Sequence, residues 1–120
     1  MDKTINKALY LIQNGQPAYY ISTNELTEEN GRKLANTWAD YIRIDFEHGP
    51  LDLPGLKKFM TGLRKEADKN KKQMPAVIPE LPFPGQDPLI VKANGWIVRQ
   101  ILATGVHGLV LCHAEDPNAV

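Results

Sequence analysis

The sequence predicts an α/β fold with a parallel sheet, in the order helix, then β-α-β-α-β-α-β. Three observations predict it. Short runs of aromatic and β-branched residues alternate with longer runs of helical period. Glycine, proline and asparagine fall between them, where turns and caps belong. The last run, Leu109-Val110-Leu111-Cys112, is continuously apolar, as in a parallel strand covered on both faces. Strands alternating with helices join through right-handed crossovers. Four such strands fit a small open sheet or half of an eight-stranded barrel, and the pattern leaves both open.

The elements follow in order. Ile5, Ala8, Leu9 and Ile12 recur at helical spacing ahead of Gly15, which predicts an amphipathic helix over 3–14. Residues 17–23 read as the first strand. A helix starts at Thr27, with Leu34, Ala35 and Trp38 on one face. The second strand, 41–47, ends at His48-Gly49-Pro50. Asp52 then caps a long helix over 53–70 with Pro54 in its first turn and a stripe of Leu56, Phe59, Met60, Leu63 and Ala67. A third strand covers 74–79, and a proline- and glycine-rich loop runs from Glu80 to Gln86. Asp87-Pro88 opens a third helix, with Ile90, Ala93, Ile97, Ile101 and Leu102 facing inward, closed by Gly105. The fourth strand spans 106–113. Glu115 to Val120 reads as the start of another helix, an organisational hint that the chain is truncated.

With 120 residues and 42% hydrophobic content, the chain is expected to form a single domain over 1–120. Lysine plus arginine equals aspartate plus glutamate at 14 each, so a nucleic-acid partner is not expected. The basic run from Arg64 to Lys72 is interleaved with Glu66 and Asp68, as on a solvated helix end. The single cysteine, Cys112, excludes an internal disulfide and a cysteine-based metal cluster within one chain, and a reducing, cytoplasmic setting is expected. Asp2, Lys3 and Lys7 interrupt the first 14 residues, which read as neither a signal peptide nor a membrane span.

Ligands of parallel α/β proteins bind at the carboxyl ends of the strands. The second strand ends there in Asp45, Glu47 and His48, with the two carboxylates on one face and the histidine in the turn beyond. Such a histidine can exchange protons near neutral pH while a carboxylate fixes its tautomer. The same residues also fit a histidine in a polar turn, bonded to backbone. His113 and Glu115 repeat the pattern at the end of the fourth strand and are candidate substrate contacts. They fit equally a packed histidine and a helix cap. Cys112 reads as a small core residue, and His107, on the opposite rim, as structural. Gly85-Gln86-Asp87 before a helix start is a weak anion-site signal. No nucleophile arrangement, phosphate loop or metal motif stands out.

The stretch Ile44-Asp45-Phe46-Glu47-His48-Gly49-Pro50 resembles the Ile-Asp-x-Glu-His-x-Pro segment of the HpcH/HpaI aldolases, a citrate lyase-like family of class II pyruvate aldolases with relatives such as macrophomate synthase. Asn14-Gly15-Gln16-Pro17 resembles that family's entry into its first strand, and Gly105 to Glu115 resembles its fourth strand. The similarity spans roughly residues 5–120. It implies the N-terminal half of a (β/α)8 barrel and cleavage of a hydroxy-2-oxo acid through a pyruvate enolate. It implies a divalent metal (Mg²⁺, Mn²⁺ or Co²⁺), a small-molecule 2-oxo acid as partner, and a homo-oligomer. His48 would belong to the acid/base machinery, Asp45 would orient it, and Glu47 would support the site. Two departures stand out. The family's arginine position is Ile78 here, with Lys92 and Arg99 poor substitutes. Its metal ligands come from strands after the fourth, so no ligand can be assigned in this chain. The alternative is a non-catalytic half-barrel, an interaction module whose exposed strand edges pair with another chain.

Overall fold

A computed structural model of the chain describes residues 6–120. It is an α/β structure whose three parallel strands lie in the order β1-β2-β3, with β1 at Tyr20–Ser22, β2 at Tyr41–Asp45 and β3 at Ala76–Glu80. Helix α1 (Lys7–Gln13) precedes β1. Helices α2 (Glu28–Leu34) and α3 (Leu53–Asn70) are the two crossovers. Helices α4 (Pro88–Ala93) and α5 (Gly95–Leu102) follow β3, and a short 3₁₀ turn, Pro117–Ala119, lies near the end. The predicted start of the first helix at 3–5, including Ile5, lies outside the described residues.

The long third helix forms as its sequence dictates. Asp52 Oδ1 accepts from the Gly55 amide at 2.8 Å, Pro54 occupies the first turn, and Lys71 ends the helix in a left-handed conformation. Its stripe of Leu56, Phe59, Met60 and Leu63 is fully buried against Ile42, Ile44 and Val77 of the sheet. Removing a side chain such as Phe59 from this layer would cost about 3–5 kcal/mol. Helices α2 and α3 touch backbone to backbone. A Cβ on Gly31 would run into the carbonyl oxygen of Phe59, and one on Gly62 into that of Glu28.

The fourth strand is the main correction. Segment 106–113 contributes one parallel bridge, Val110 to Glu80, not a strand. The backbone groups of β3 explain why. In a parallel strand the N–H and C=O of one residue point to the same neighbour. Val77, Pro79 and Leu81 face the segment, since Val77 O accepts from His107 N, Pro79 O accepts from Val110 N, and Leu81 N donates to Val110 O. Proline has no N–H to offer Gly108, so the ladder lacks a rung. The Val77 N–H is captured by the imidazole Nδ1 of His107 at 3.0 Å.

Smaller corrections have local causes. The helix predicted from Asp87 to Gly105 is two helices, because Asn94 leaves the helical conformation (φ −106°, ψ 12°) while its side chain donates to the Ile90 carbonyl. Ala93 and Leu102 consequently face outward. Helix α2 stops at Leu34, so Trp38 falls in a loop and is 71% exposed while Ala39 is buried in its place. In α1 only Ala8 is buried; Leu9 and Ile12 are exposed. Strands β1 and β2 are shorter than predicted, and Glu80 belongs to β3 rather than to the loop. Asp87 accepts from the Leu89 amide, so the start of α4 is capped by its own chain. At the end, Asp116 rather than Glu115 is the cap, and it caps a 3₁₀ turn. No helix among the described residues is long and apolar enough to cross a membrane.

Candidate active site

The sheet has two unlike faces. Ile42, Ile44 and Phe46 point into the helix layer and are buried. Tyr41, Arg43 and Asp45 alternate onto the other face, which is half-exposed. The polar residues of β2 and its following turn therefore gather on one side, at the carboxyl end of the sheet.

Asp45 organises the turn. Its Oδ1 accepts the amides of Glu47 and His48, each at 2.9 Å. Its Oδ2 lies 3.0 Å from His48 Nδ1. Asn24 fixes the Asp45 backbone in turn: Asn24 Oδ1 accepts the Asp45 amide and Asn24 Nδ2 donates to the Asp45 carbonyl, both at 3.0 Å. This side chain continues the pairing of β1 with β2 past the last backbone rung. Gly49 is needed beside it, since a Cβ there would strike Asn24 Nδ2 and the Asp45 carbonyl oxygen.

The imidazole of His48 is 74% exposed although its Nδ1 is tied to Asp45. With Nδ1 donating to the carboxylate, Nε2 carries the lone pair and faces outward. The hydrogen bond and charge of Asp45, followed by the charge of Glu47, raise the His48 pKa above its ordinary value. Asp45 moves the other way. The His48 amide, and then the His48 ring, hold its carboxyl below the usual range against some loss of solvation.

The sequence-predicted residues divide here. Asp45, Glu47 and His48 lie together, and His113 joins them through Nε2, 2.7 Å from Glu47 Oε1. Partial burial pushes the Glu47 carboxyl up, but the hydrogen bond with His113 and the nearby charges of His48 and His113 outweigh it, leaving the group below its ordinary range. Glu115 does not join the group. Its carboxylate meets Gln86 at 3.4 Å and it takes no part in either set of converging donors.

Three contributors escape a motif-based reading. Arg43 is ion-paired with Glu80, a nearly buried carboxylate on the neighbouring strand. It stands directly across from Ile78 in the strand register. Glu80 sits opposite Asp45 and brings a further carboxylate beside Glu47. The third is Cys112, whose ligand atom lies within 4.8 Å of those of Glu47 and His113. Alternation along β2 signals Arg43; the others depend on the register of β3 and on a turn, which one-dimensional patterns do not encode.

The resemblance implies a divalent metal, and the donors present decide which kind fits. Both oxygens of Asp45 are committed to backbone amides or to His48, and Glu47 Oε1 to His113. Mg²⁺ takes oxygen ligands in near-octahedral geometry, and these residues do not supply such a cage. No protein-family model matches the chain, and a search of curated proteins returns no match.

Proposed function

We propose that this site moves protons in a carbon–carbon lyase reaction on a hydroxy-2-oxo acid, through a pyruvate enolate. The observation that carries the reading is an exposed imidazole whose Nδ1 is held 3.0 Å from the Asp45 carboxylate at the carboxyl end of the parallel sheet. The motif resemblance of residues 44–50 supplies the substrate class.

In the proposed cleavage, His48 Nε2 takes the proton of the substrate hydroxyl. The carbon–carbon bond breaks, the former hydroxyl carbon leaves as an aldehyde, and the bonding pair enters the enolate of the 2-oxo acid. Asp45 keeps the imidazole in the accepting tautomer and stabilises the imidazolium that forms. The proton then passes to the enolate carbon and completes the methyl group of pyruvate. Arg43 is the cation best placed to meet charge on the enolate oxygen, because it stands across from Ile78, where the family carries arginine. Glu80 holds that guanidinium in position.

The test follows exchange of the pyruvate methyl protons for deuterium by NMR, with Mg²⁺, Mn²⁺ or Co²⁺ supplied. The expected result is exchange in the wild-type chain that falls by at least about 100-fold in His48→Ala, the low end for a general base. Equal rates in the two proteins would sink the proposal.

A second reading rests on a different observation. The outer edge of β1 is unpaired among the described residues, and Tyr19 and Tyr20 beside it are 59% and 48% exposed. Such an edge invites pairing. A partial barrel acting as an interaction module would self-associate through it, and light scattering after gel filtration would show a dimer or larger species that Tyr20→Lys disperses. A monomer at all concentrations would exclude this reading.

A further inference from the structure

We propose that Glu47, Cys112 and His113 form a binding site for a borderline-soft divalent ion of the Zn²⁺ or Co²⁺ class. Their carboxylate oxygen, thiol sulfur and imidazole nitrogen lie within 4.8 Å of one another. Ligand bonds of about 2.0–2.3 Å in a tetrahedral site place donors roughly 3.3–3.8 Å apart. The three atoms therefore lie within about 1.5 Å of the required spacing. The closest pair, His113 Nε2 and Glu47 Oε1, is a hydrogen bond of 2.7 Å that would open to admit the ion.

The chain fixes two of the ligands as neighbours on one turn. The Gly85 amide donates to the Cys112 carbonyl at 2.8 Å, and the Glu115 amide donates to the Gly85 carbonyl at 3.2 Å, which anchors the turn from both sides. The third ligand comes from the end of β2, so the ion would tie the 106–113 segment to the sheet where the backbone ladder is incomplete. Mixed sulfur, nitrogen and oxygen donors select a transition metal over Mg²⁺. A second group, Asp45, Glu47 and His48, also converges within 4.8 Å, but it has no sulfur donor and Asp45 Oδ1 already accepts two backbone amides. Three protein ligands leave a fourth position open, the pattern of a catalytic rather than a structural site. Binding releases the thiol proton to solvent, so affinity rises with pH.

The inference does not depend on the lyase reading, since an ion can bind without proton exchange and exchange can occur without this ion. The experiment is a Co²⁺ titration of the full chain, followed in the visible and near-ultraviolet. One equivalent should give intense tetrahedral bands together with a thiolate-to-cobalt charge-transfer band. Cys112→Ser should remove the charge-transfer band and weaken binding by about tenfold or more, and His113→Ala should weaken it similarly. His48→Ala should keep both signatures. Metal-free melting curves matching wild type establish that the variants are folded. No charge-transfer band at excess Co²⁺, or unchanged affinity in folded Cys112→Ser or His113→Ala, overturns the proposal.

Discussion

Two histidines in this chain respond to pH with opposite sign. His48 has a folded pKa raised by Asp45, so it contributes stability that is fully present below its unfolded value near 6.5 and is lost as pH rises through the folded value. His107 has a folded pKa lowered by burial and then by Arg64. Its neutral Nδ1 accepts the Val77 amide at 3.0 Å, and protonation removes that acceptor. Its contribution is present above about 6.5 and lost as pH falls toward the depressed value. Urea midpoints measured against pH should therefore show a loss of stability just below pH 6.5 in wild type that is missing in His107→Gln. An identical acid limb in both proteins would show that His107 is not held neutral. The sequence identifies His48 and its carboxylates because strand alternation and a local turn bring them together. The trap around His107 is not legible there, since it depends on which β3 amide lacks a backbone partner.

At the scale of elements, the contact between α2 and α3 is the least forgiving. Gly31 and Gly62 allow the two helix backbones to touch, and Gly62 faces the Glu28 carbonyl with no room for a methyl group. Gly62→Ala gains helix propensity worth about 1 kcal/mol, yet the added carbon must push the helices apart. Overpacking of that kind costs about 1–3 kcal/mol or more, so we expect net destabilisation, read as a lower urea midpoint with unchanged slope. A midpoint at or above wild type would mean that the helices separate freely. Periodicity locates α3 to the residue because Asp52, Pro54 and the apolar stripe agree. It merges α4 and α5 because Asn94-Gly95 interrupts a stripe whose apolar spacing continues across the break. It overstates the fourth strand because Pro79 and the captured Val77 amide limit the ladder on β3, a constraint written in a neighbouring element.

For the whole molecule, the sheet sorts residues by face. Apolar residues of β2 enter the helix layer, and charged residues gather on the other side beyond the strand ends. This division places the proposed proton-transfer pair, the Arg43–Glu80 ion pair and the Glu47–Cys112–His113 group on one rim without a dedicated binding loop. The α/β class and the parallel order of the first three strands were legible in the alternation of short and long runs. Whether such a sheet belongs to a barrel depends on pairing at its two edges, which no single strand's pattern specifies.

The central claim is that His48, oriented by Asp45, exchanges protons with a 2-oxo acid. The pH profile of pyruvate methyl exchange in wild type and Asp45→Asn tests it most directly. Because the proposed base is neutral His48 and Asp45 raises its pKa, the rate should climb with pH through the raised value in wild type. In Asp45→Asn the midpoint should move to lower pH and the plateau should fall. A profile with the same midpoint in both proteins, or exchange independent of pH, would contradict the account.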